Sequence, residues 1–360
     1  MNIIRIFSWI FITLFLFSCT KTEENTSSIE HYINVIYDKN VAISSQYNSE
    51  ELGPHGYKHK VYYNNGYLYY GTTYNELDSK GSASQLLKIN AETGDIENMV
   101  ALSSWGGCQD MVFYSGKIIT AFSGYTYTRV MDQNTLKNIR TVKGNFTDVD
   151  GETNTIPLFK ALSVFDNKII LTSDSQNRAI VFDIDKFTEA PTDGVLLVAE
   201  SQIGTNSESE VAASQKSAES LNAPFKSEVI GNYLLIADKD KINVYDRNLT
   251  LVNSITKIKD VNRDKTINYT TANFDFAQTS ENSAFMKFKS EGKYYLMFFN
   301  IDQILEGDTL SVFYCESNGD AIIDASKAVN PITIKNKIIS NDNEGGVNYY
   351  DISEFKVVVE

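Results

Sequence analysis

Short apolar runs, each entered through a tight polar turn, recur along most of this chain. Asn65-Gly66 precedes Tyr67-Leu68-Tyr69-Tyr70, and Ser115-Gly116 precedes Lys117-Ile118-Ile119. Asp166-Asn167 precedes Lys168-Ile169-Ile170-Leu171, and Gly231-Asn232 precedes Tyr233-Leu234-Leu235-Ile236. Lys335-Asn336 precedes Lys337-Ile338-Ile339. Gly and Asn both tolerate positive φ, so such pairs between strand-like runs predict β-hairpins. In the fifth unit the matching strand is Ser283-Ala284-Phe285-Met286, which lacks that turn.

A second marker follows each of these strands after another turn. It is two mostly apolar residues and then Asp or Asn, at Asn90, Asp132, Asp183, Asp246, Asn300 and Asp351. The successive gaps are 42, 51, 63, 54 and 51 residues. Phe182-Asp183-Ile184-Asp185 and Phe299-Asn300-Ile301-Asp302 are nearly one phrase. The Asp or Asn suits a strand end because its side chain closes an Asx turn on its own backbone. A turn and a further strand follow, as in Asn248-Leu249-Thr250-Leu251-Val252. Each unit thus reads as three strands with room for a fourth.

A unit of about 50 residues with four strands matches a propeller blade. A single blade cannot bury both faces, whereas stacking blades in a ring buries them and leaves only short edges. The longest gap holds a polar Ser- and Glu-rich stretch, Ser201 to Asn222, read as an insertion between blades with a short amphipathic helix over Glu210 to Leu221. His31 to Tyr37 and Val41 to Ser45 are two more strand-like runs, and Tyr37-Asp38 echoes the marker 52 residues before Asn90. They form either part of a seventh blade or an N-terminal strand that completes the last one. The expected fold class is all-β, a β-propeller of six blades with seven as the alternative count, spanning residues 31–360. A pair of β-sandwiches is disfavoured, because the repeat runs through the middle of the chain without a linker.

These units resemble lipoprotein propellers of the quinoprotein-like or NHL and lactonase-like type. The stretch from Asn65 to Asp95, with Gly66-Tyr67-Leu68-Tyr69-Tyr70-Gly71-Thr72, Leu87-Lys88-Ile89-Asn90 and Thr93-Gly94, is also similar to glutamine cyclotransferase propellers. That second resemblance implies an acid beside tryptophans in the pocket. Here the corresponding stretch, Gly106-Gly107-Cys108-Gln109-Asp110, offers only Asp110 for the part.

The N-terminus carries a different signal. After one positive charge, Arg5, an apolar run extends from Ile6 to Phe17, broken only by Ser8 and Thr13. It has the length of a signal-peptide core and is too short to cross a hydrocarbon layer of about 30 Å comfortably. Leu16-Phe17-Ser18-Cys19 ends the run and resembles the lipobox of bacterial lipoproteins. The resemblance implies cleavage after residue 18 and acylation, palmitate included, of Cys19. Thr20-Lys21-Thr22-Glu23-Glu24 is similar to the export tag of bacteroidete-type surface lipoproteins, which implies an outer-membrane anchor facing the cell exterior. Residues 19–30 then serve as a lipidated tether.

The 360 residues carry a net charge of −14, and removing residues 1–18 with their one Arg and no acid makes it −15. That balance argues against a nucleic-acid or anionic-membrane surface. The 21 Tyr and 20 Phe suit strands, where rings pack on a pleated face. Beyond Cys19, the cysteines Cys108 and Cys315 would either close a very long loop in an oxidising exterior or lie buried as thiols, the latter favoured.

Several constellations invite a chemical reading. Asp260, Asn262 and Asp264 alternate oxygens as a calcium loop does, yet Lys265 stands at the turn glycine and Thr271 at the bidentate acid, so a surface turn is favoured. Asp148, Asp150 and Glu152 form a second acidic loop with the same reading. His55 and His59 have metal-ligand spacing but sit where a loop enters a strand. Tyr62, Tyr63, Tyr125, Tyr127 and Trp105 lie near strand ends, where exposed rings stack on a sugar or grip a partner and buried ones pack between blades. No Ser-His-Asp set and no phosphate-cradling glycine loop is assembled, so no catalytic residue, cofactor or metal is assigned. The expected role is a binding or scaffold propeller for an envelope protein complex or a glycan. The alternative is a lyase, lactonase or cyclotransferase acting in the central channel.

Overall fold

A computed structural model describes residues 28–42, 60–71, 84–103, 108–122, 126–189, 196–204, 220–261, 264–267, 275–278, 283–290, 293–316, 329–334, 337–341 and 346–359. Among these the chain is almost wholly β, and the compact unit Tyr32–Phe355 is built from repeated four-stranded meanders.

Strand β1 (Ser28–Ala42) comes first. Blade I holds β2 (Lys60–Asn64), β3 (Tyr67–Gly71), β4 (Ser84–Asn90) and β5 (Ile96–Ser103) in sequential order. Blade II repeats the plan with β6 (Cys108–Tyr114), β7 (Lys117–Phe122), β8 (Tyr127–Asp132) and β9 (Asn138–Lys143). A small separate sheet contains β10 (Asn145–Thr147) and β11 (Thr153–Thr155). Blade III has β12 (Ala161–Phe165), β13 (Lys168–Ser173) and β14 (Arg178–Asp183), followed by the one-turn helix α1 (Ile184–Thr188). Strand β15 (Leu197–Val198) joins the small sheet, and β16 (Ser201–Ile203) becomes the outer strand of blade III.

Blade IV is β17 (Lys226–Ile230), β18 (Tyr233–Ala237), β19 (Ile242–Tyr245) and β20 (Leu251–Ile255). A hairpin of β21 (Lys257–Asp260) and β22 (Lys265–Ile267) leads to blade V. That blade comprises β23 (Asp275–Gln278), β24 (Ser283–Ser290), β25 (Lys293–Asn300) and β26 (Thr309–Glu316), with a 3-10 turn, Ile301–Leu305, before the last. Finally β27 (Val329–Ile334), β28 (Lys337–Asn341) and β29 (Gly346–Val359) lie side by side, and β1 is the fourth strand beside β29; its other edge pairs in parallel with β26, so this last sheet is continuous with blade V.

The N-terminal segment therefore completes the last sheet, the second of the two roles its sequence allowed. It does so as one strand rather than two runs, and it begins at Ser28, inside the segment expected to be tether. The first strands touch in a closed cycle: β2 with β6, β6 with β12, β12 with β17, β17 with β23, β23 with β27, and β27 with β2. A β-propeller is what such a cycle of meanders makes.

Local chemistry explains the repeat. The second strand of each blade is covered on both faces, so Leu68 to Tyr70, Ile118 to Phe122, Ile169 to Ser173 and Leu234 to Ala237 are buried without a break. Alternation along those strands divides the side chains between neighbouring seams. Tyr69 packs with Ile118, Phe122 and Met131 between blades I and II, while Leu68 and Tyr70 pack with Ile339, Val347 and Tyr349 on the other side. Ile119 joins the seam of blades II and III, Ile170 that of III and IV, and Leu235 that of IV and V. The hairpin turns have positive φ at Asn65 and Gly66, at Ser115 and Gly116, and at Asp166 and Asn167, the pair of values a two-residue I′ turn requires.

One boundary is corrected. Ser201–Ile203, assigned from its polarity to an insertion at 201–222, pairs with β14 (Ala179↔Ile203, Val181↔Ser201). Its outward polar residues are those of an edge strand. At the far end, Leu221 is buried in the seam of blades III and IV rather than closing an amphipathic helix. Residues 205–219 lie outside the described residues, as do the leader and Cys19.

Candidate functional site

Two places in the ring collect polar chemistry: the wall of first strands at its centre, and the seam where the last sheet meets blade I.

At the centre, Asp110 is 2% exposed and bridges three blades. Its Oδ1 accepts the Tyr62 hydroxyl of blade I at 2.8 Å and its own neighbour Met111 N–H at 3.0 Å. Its Oδ2 accepts the Leu162 N–H of blade III at 2.8 Å. One blade further on, the hydroxyls of Ser163 and Ser227 meet at 2.7 Å. Cys108 is a buried thiol with Sγ 3.5 Å from the Asp110 carbonyl oxygen. The carboxylate that the cyclotransferase resemblance singled out is thus an acceptor for fixed donors of the scaffold. A negative charge at that depth is tolerable because three donors surround it.

Five of the six strand-end markers close local turns, whereas Asp351 lies inside β29 and accepts from Lys337 across the strand instead. Asn90 Oδ1 accepts Glu92 and Thr93 N–H, Asp132 Oδ1 accepts Asn134 and Thr135 N–H, and Asp246 Oδ1 accepts Asn248 and Thr250 N–H. Asp183 caps α1 through Lys186 N–H, and Asn300 caps the 3-10 turn. The Thr135 donors hold the Asp132 carboxyl below its ordinary value.

These turns decide which seams are closed. The turns of blades II to V each insert an apolar side chain into the seam on the preceding blade. Leu136 fills that of blades I and II, and Ile184 and Phe187 fill that of II and III. Leu249 packs at the seam of III and IV, and Ile301 and Ile304 fill that of IV and V. Polar ties hold them in place. Arg140 donates to the carbonyls of Lys186, Phe187 and Glu189 at the end of α1, and Asn253 donates to those of Ile304 and Gly307. Burial lowers the Arg140 pKa from its ordinary value.

Blade I offers no such filler. Its turn reads Asn90-Ala91-Glu92-Thr93-Gly94, so alanine stands where Ile184 and Ile301 stand elsewhere. The result is a cleft of about 490 Å³ between blade I and the last sheet, within the volume range of ligand sites. Tyr63, Gly66, Ala91 and Glu92 line it from blade I, Lys337, Ile339, Tyr349 and Asp351 from β28 and β29, and Asp38 and Lys39 from β1. Tyr349 is 4% exposed and donates its hydroxyl to the Ala91 carbonyl at 3.0 Å, and burial pushes its pKa up to about 12.

A row of charges crosses the three strands at the rim. Lys337 Nζ lies 2.6 Å from Asp351, its cross-strand partner, and 2.8 Å from Asp38 on β1. These contacts raise the Lys337 pKa, with the hydrogen bond to Asp351 the largest cause, and the Lys337 hydrogen bond lowers that of Asp38. The Lys39 ammonium sits 5.1 Å from the centre of the Tyr349 ring.

The other sequence candidates disperse. Asp148 pairs at 2.6 Å with fully buried Arg178 and accepts from Asn154, so the acidic loop at 148–152 is anchored by an internal ion pair. Asp264 pairs with Lys259 at 2.7 Å, while Asn262 and Thr271 lie outside the described residues. Among the described residues no His, Cys, Asp and Glu cluster could hold a metal, and no helix is long and apolar enough to cross a membrane. His55, His59, Trp105 and Tyr125 are outside the described residues. Tyr62 turns to the ring centre, Tyr127 packs 5.1 Å from Phe122, and Tyr63 alone of the aromatic candidates lines the cleft. Sequence reasoning did not single out Tyr349, Lys337, Lys39 or Glu92. The one legible trace was the alanine after Asn90 where blades III and V have isoleucine.

No protein-family model matches the chain, and no curated protein does. Among solved structures, the WD40 domain of Neurospora crassa Pan2 is 11% identical with a TM-score of 0.50, covering 88% of this chain and 95% of that one. The β-propeller domain of Myceliophteria thermophila Cps50 (Swd1) is 9% identical with a TM-score of 0.49, covering 89% and 100%. BamB from Moraxella catarrhalis is 11% identical with a TM-score of 0.39, covering 79% and 82%. At 11% identity the Pan2 likeness concerns the fold alone, and together with the closed cycle of first strands it makes the chain a β-propeller.

Proposed function

We propose that this chain is a non-catalytic binding propeller of six blades, carried on the outer membrane and facing the exterior through a lipid on Cys19. Its partner is a protein of the cell envelope. The observation that carries the binding role is the open seam between blade I and the last sheet, where an aromatic wall and a rim of charges enclose a cleft. The closed cycle of six first strands supports the blade count. The lipobox and the Lys-Glu-Glu cluster after it support the address. The acid at the ring centre speaks against the cyclotransferase alternative, because both its oxygens serve fixed donors.

Gentle detergent extraction with crosslinking tests the role. Recovery of a specific envelope protein is the expected result, and a chain that crosslinks to nothing overturns it. Mass spectrometry of the N-terminal peptide tests the anchor: an acylated Cys19 is expected, and an uncut leader with an unmodified sulfur refutes it. Protease shaving of intact cells then distinguishes the exterior leaflet from the periplasmic one.

A further inference from the structure

We infer that the cleft between blade I and the last sheet receives a basic side chain, a guanidinium or ammonium on an apolar stem, presented by an extended segment of a partner protein. This rests on the binding role proposed above and names the chemistry that the site selects.

The lining favours a cation. Three carboxylates, Asp38, Glu92 and Asp351, stand against two ammonium groups, Lys39 and Lys337. Lys337 is held between Asp38 and Asp351, so that trio keeps one negative charge in excess. Tyr349 already attracts the exposed Lys39 ammonium to its ring, which shows a face disposed for cation–π contact. An incoming guanidinium can take that place and meet the carboxylates of the rim.

The walls favour an apolar stem. Tyr63, Ala91, Ile339 and Tyr349 supply hydrocarbon surface beneath the charged rim, the arrangement that suits a long side chain with a polar head. Chain charge points the same way, since a net −14 repels acids and draws basic partners. A neutral sugar would stack on the rings but would leave the excess carboxylate unanswered.

The cleft exists because Ala91 is small, and this gives the test. Ala91→Ile supplies the residue that blades III and V carry after their own markers, Ile184 and Ile301, and it closes the seam with the fold's own filler. The full chain is titrated by calorimetry with a glycine-flanked arginine peptide, its lysine and citrulline counterparts, and N-acetyl-argininamide. The arginine and lysine peptides should bind, and added salt should weaken them. The citrulline peptide and N-acetyl-argininamide should each bind at least about tenfold more weakly, roughly 1.4 kcal/mol. Ala91→Ile, checked for an unchanged melting curve, should weaken the arginine peptide by a similar factor, and Glu92→Gln by about threefold.

Absence of binding by both basic peptides overturns the inference. So does equal binding of citrulline, or an affinity that Ala91→Ile leaves unchanged. N-acetyl-argininamide binding as tightly as the peptide overturns the partner-segment source in favour of a free small amine. Binding of a neutral oligosaccharide that Ala91→Ile abolishes overturns it in favour of a glycan. The two proposals fail separately: a crosslinked envelope partner retained by Ala91→Ile leaves the binding role standing and removes the cleft from it.

Discussion

Replacing Asp110 by Ala tests whether the acid at the ring centre is structural. The carboxylate accepts three hydrogen bonds, from Tyr62, Met111 and Leu162, at 2.8 to 3.0 Å. Bonds to a charged acceptor contribute about 1.5–3 kcal/mol each. Burying the charge costs several kcal/mol in the opposite direction. The net loss on truncation is then about 2–4 kcal/mol, because two backbone donors lose this acceptor and blades I, II and III lose a common tie. For a domain of this size that corresponds to a fall in Tm of roughly 3–6 °C. Thermal and urea denaturation followed by circular dichroism measure it. Tyr62→Phe alone should cost about 1 kcal/mol and nearly nothing in the Asp110→Ala background, so the cycle isolates the pair. A carboxylate retained for chemistry is commonly a burden on stability, and its removal stabilises. An Asp110→Ala chain as stable as the parent, or more so, refutes the structural assignment.

Other outcomes follow from the same contacts. Arg178→Met leaves Asp148 buried without its cation and should cost about 3–5 kcal/mol in urea, with Asp148→Asn/Arg178→Met recovering part; a loss under about 1 kcal/mol contradicts the buried pair. Asp132→Ala removes the acceptor of the Asn134 and Thr135 turn and should cost about 1 kcal/mol at neutral pH. Because the folded carboxyl titrates below its unfolded value, that increment is full above about pH 4 and fades as pH falls through the folded value, so the parent and variant curves should converge in acid. Tyr349 should stay protonated in the folded chain to about pH 12 by tyrosinate absorbance. Unfolded tyrosine ionises near pH 10, so stability should drop as pH rises beyond about 10, and less steeply in Tyr349→Phe.

Much of the architecture was written in the order of residues. The runs Leu68 to Tyr70 and Ile169 to Leu171 are apolar at every position because both faces of a second strand are covered, and the Asn-Gly and Asp-Asn pairs before them carry the φ values a hairpin needs. All the strand-end Asp and Asn but Asp351 were legible as turn closers for the same local reason, since an Asx turn is made within four residues; Asp351 lies inside β29 and holds Lys337 instead. Edge strands were harder. Ser201–Ile203 is polar enough to pass for a linker, and only its pairing with β14 makes it a strand.

What tertiary structure alone decided lies at larger separations. Nothing local announces that Asp110 holds Leu162, 52 positions away, or that Asp38 reaches Lys337, 299 positions away. Ring closure brings those groups together, since neighbouring blades meet through side chains chosen independently in distant parts of the chain. The cleft shows both levels at once. Ala91 was visible as a small residue in a series of larger ones, but its consequence is an unfilled space, and a space belongs to the two surfaces that bound it rather than to either sequence segment.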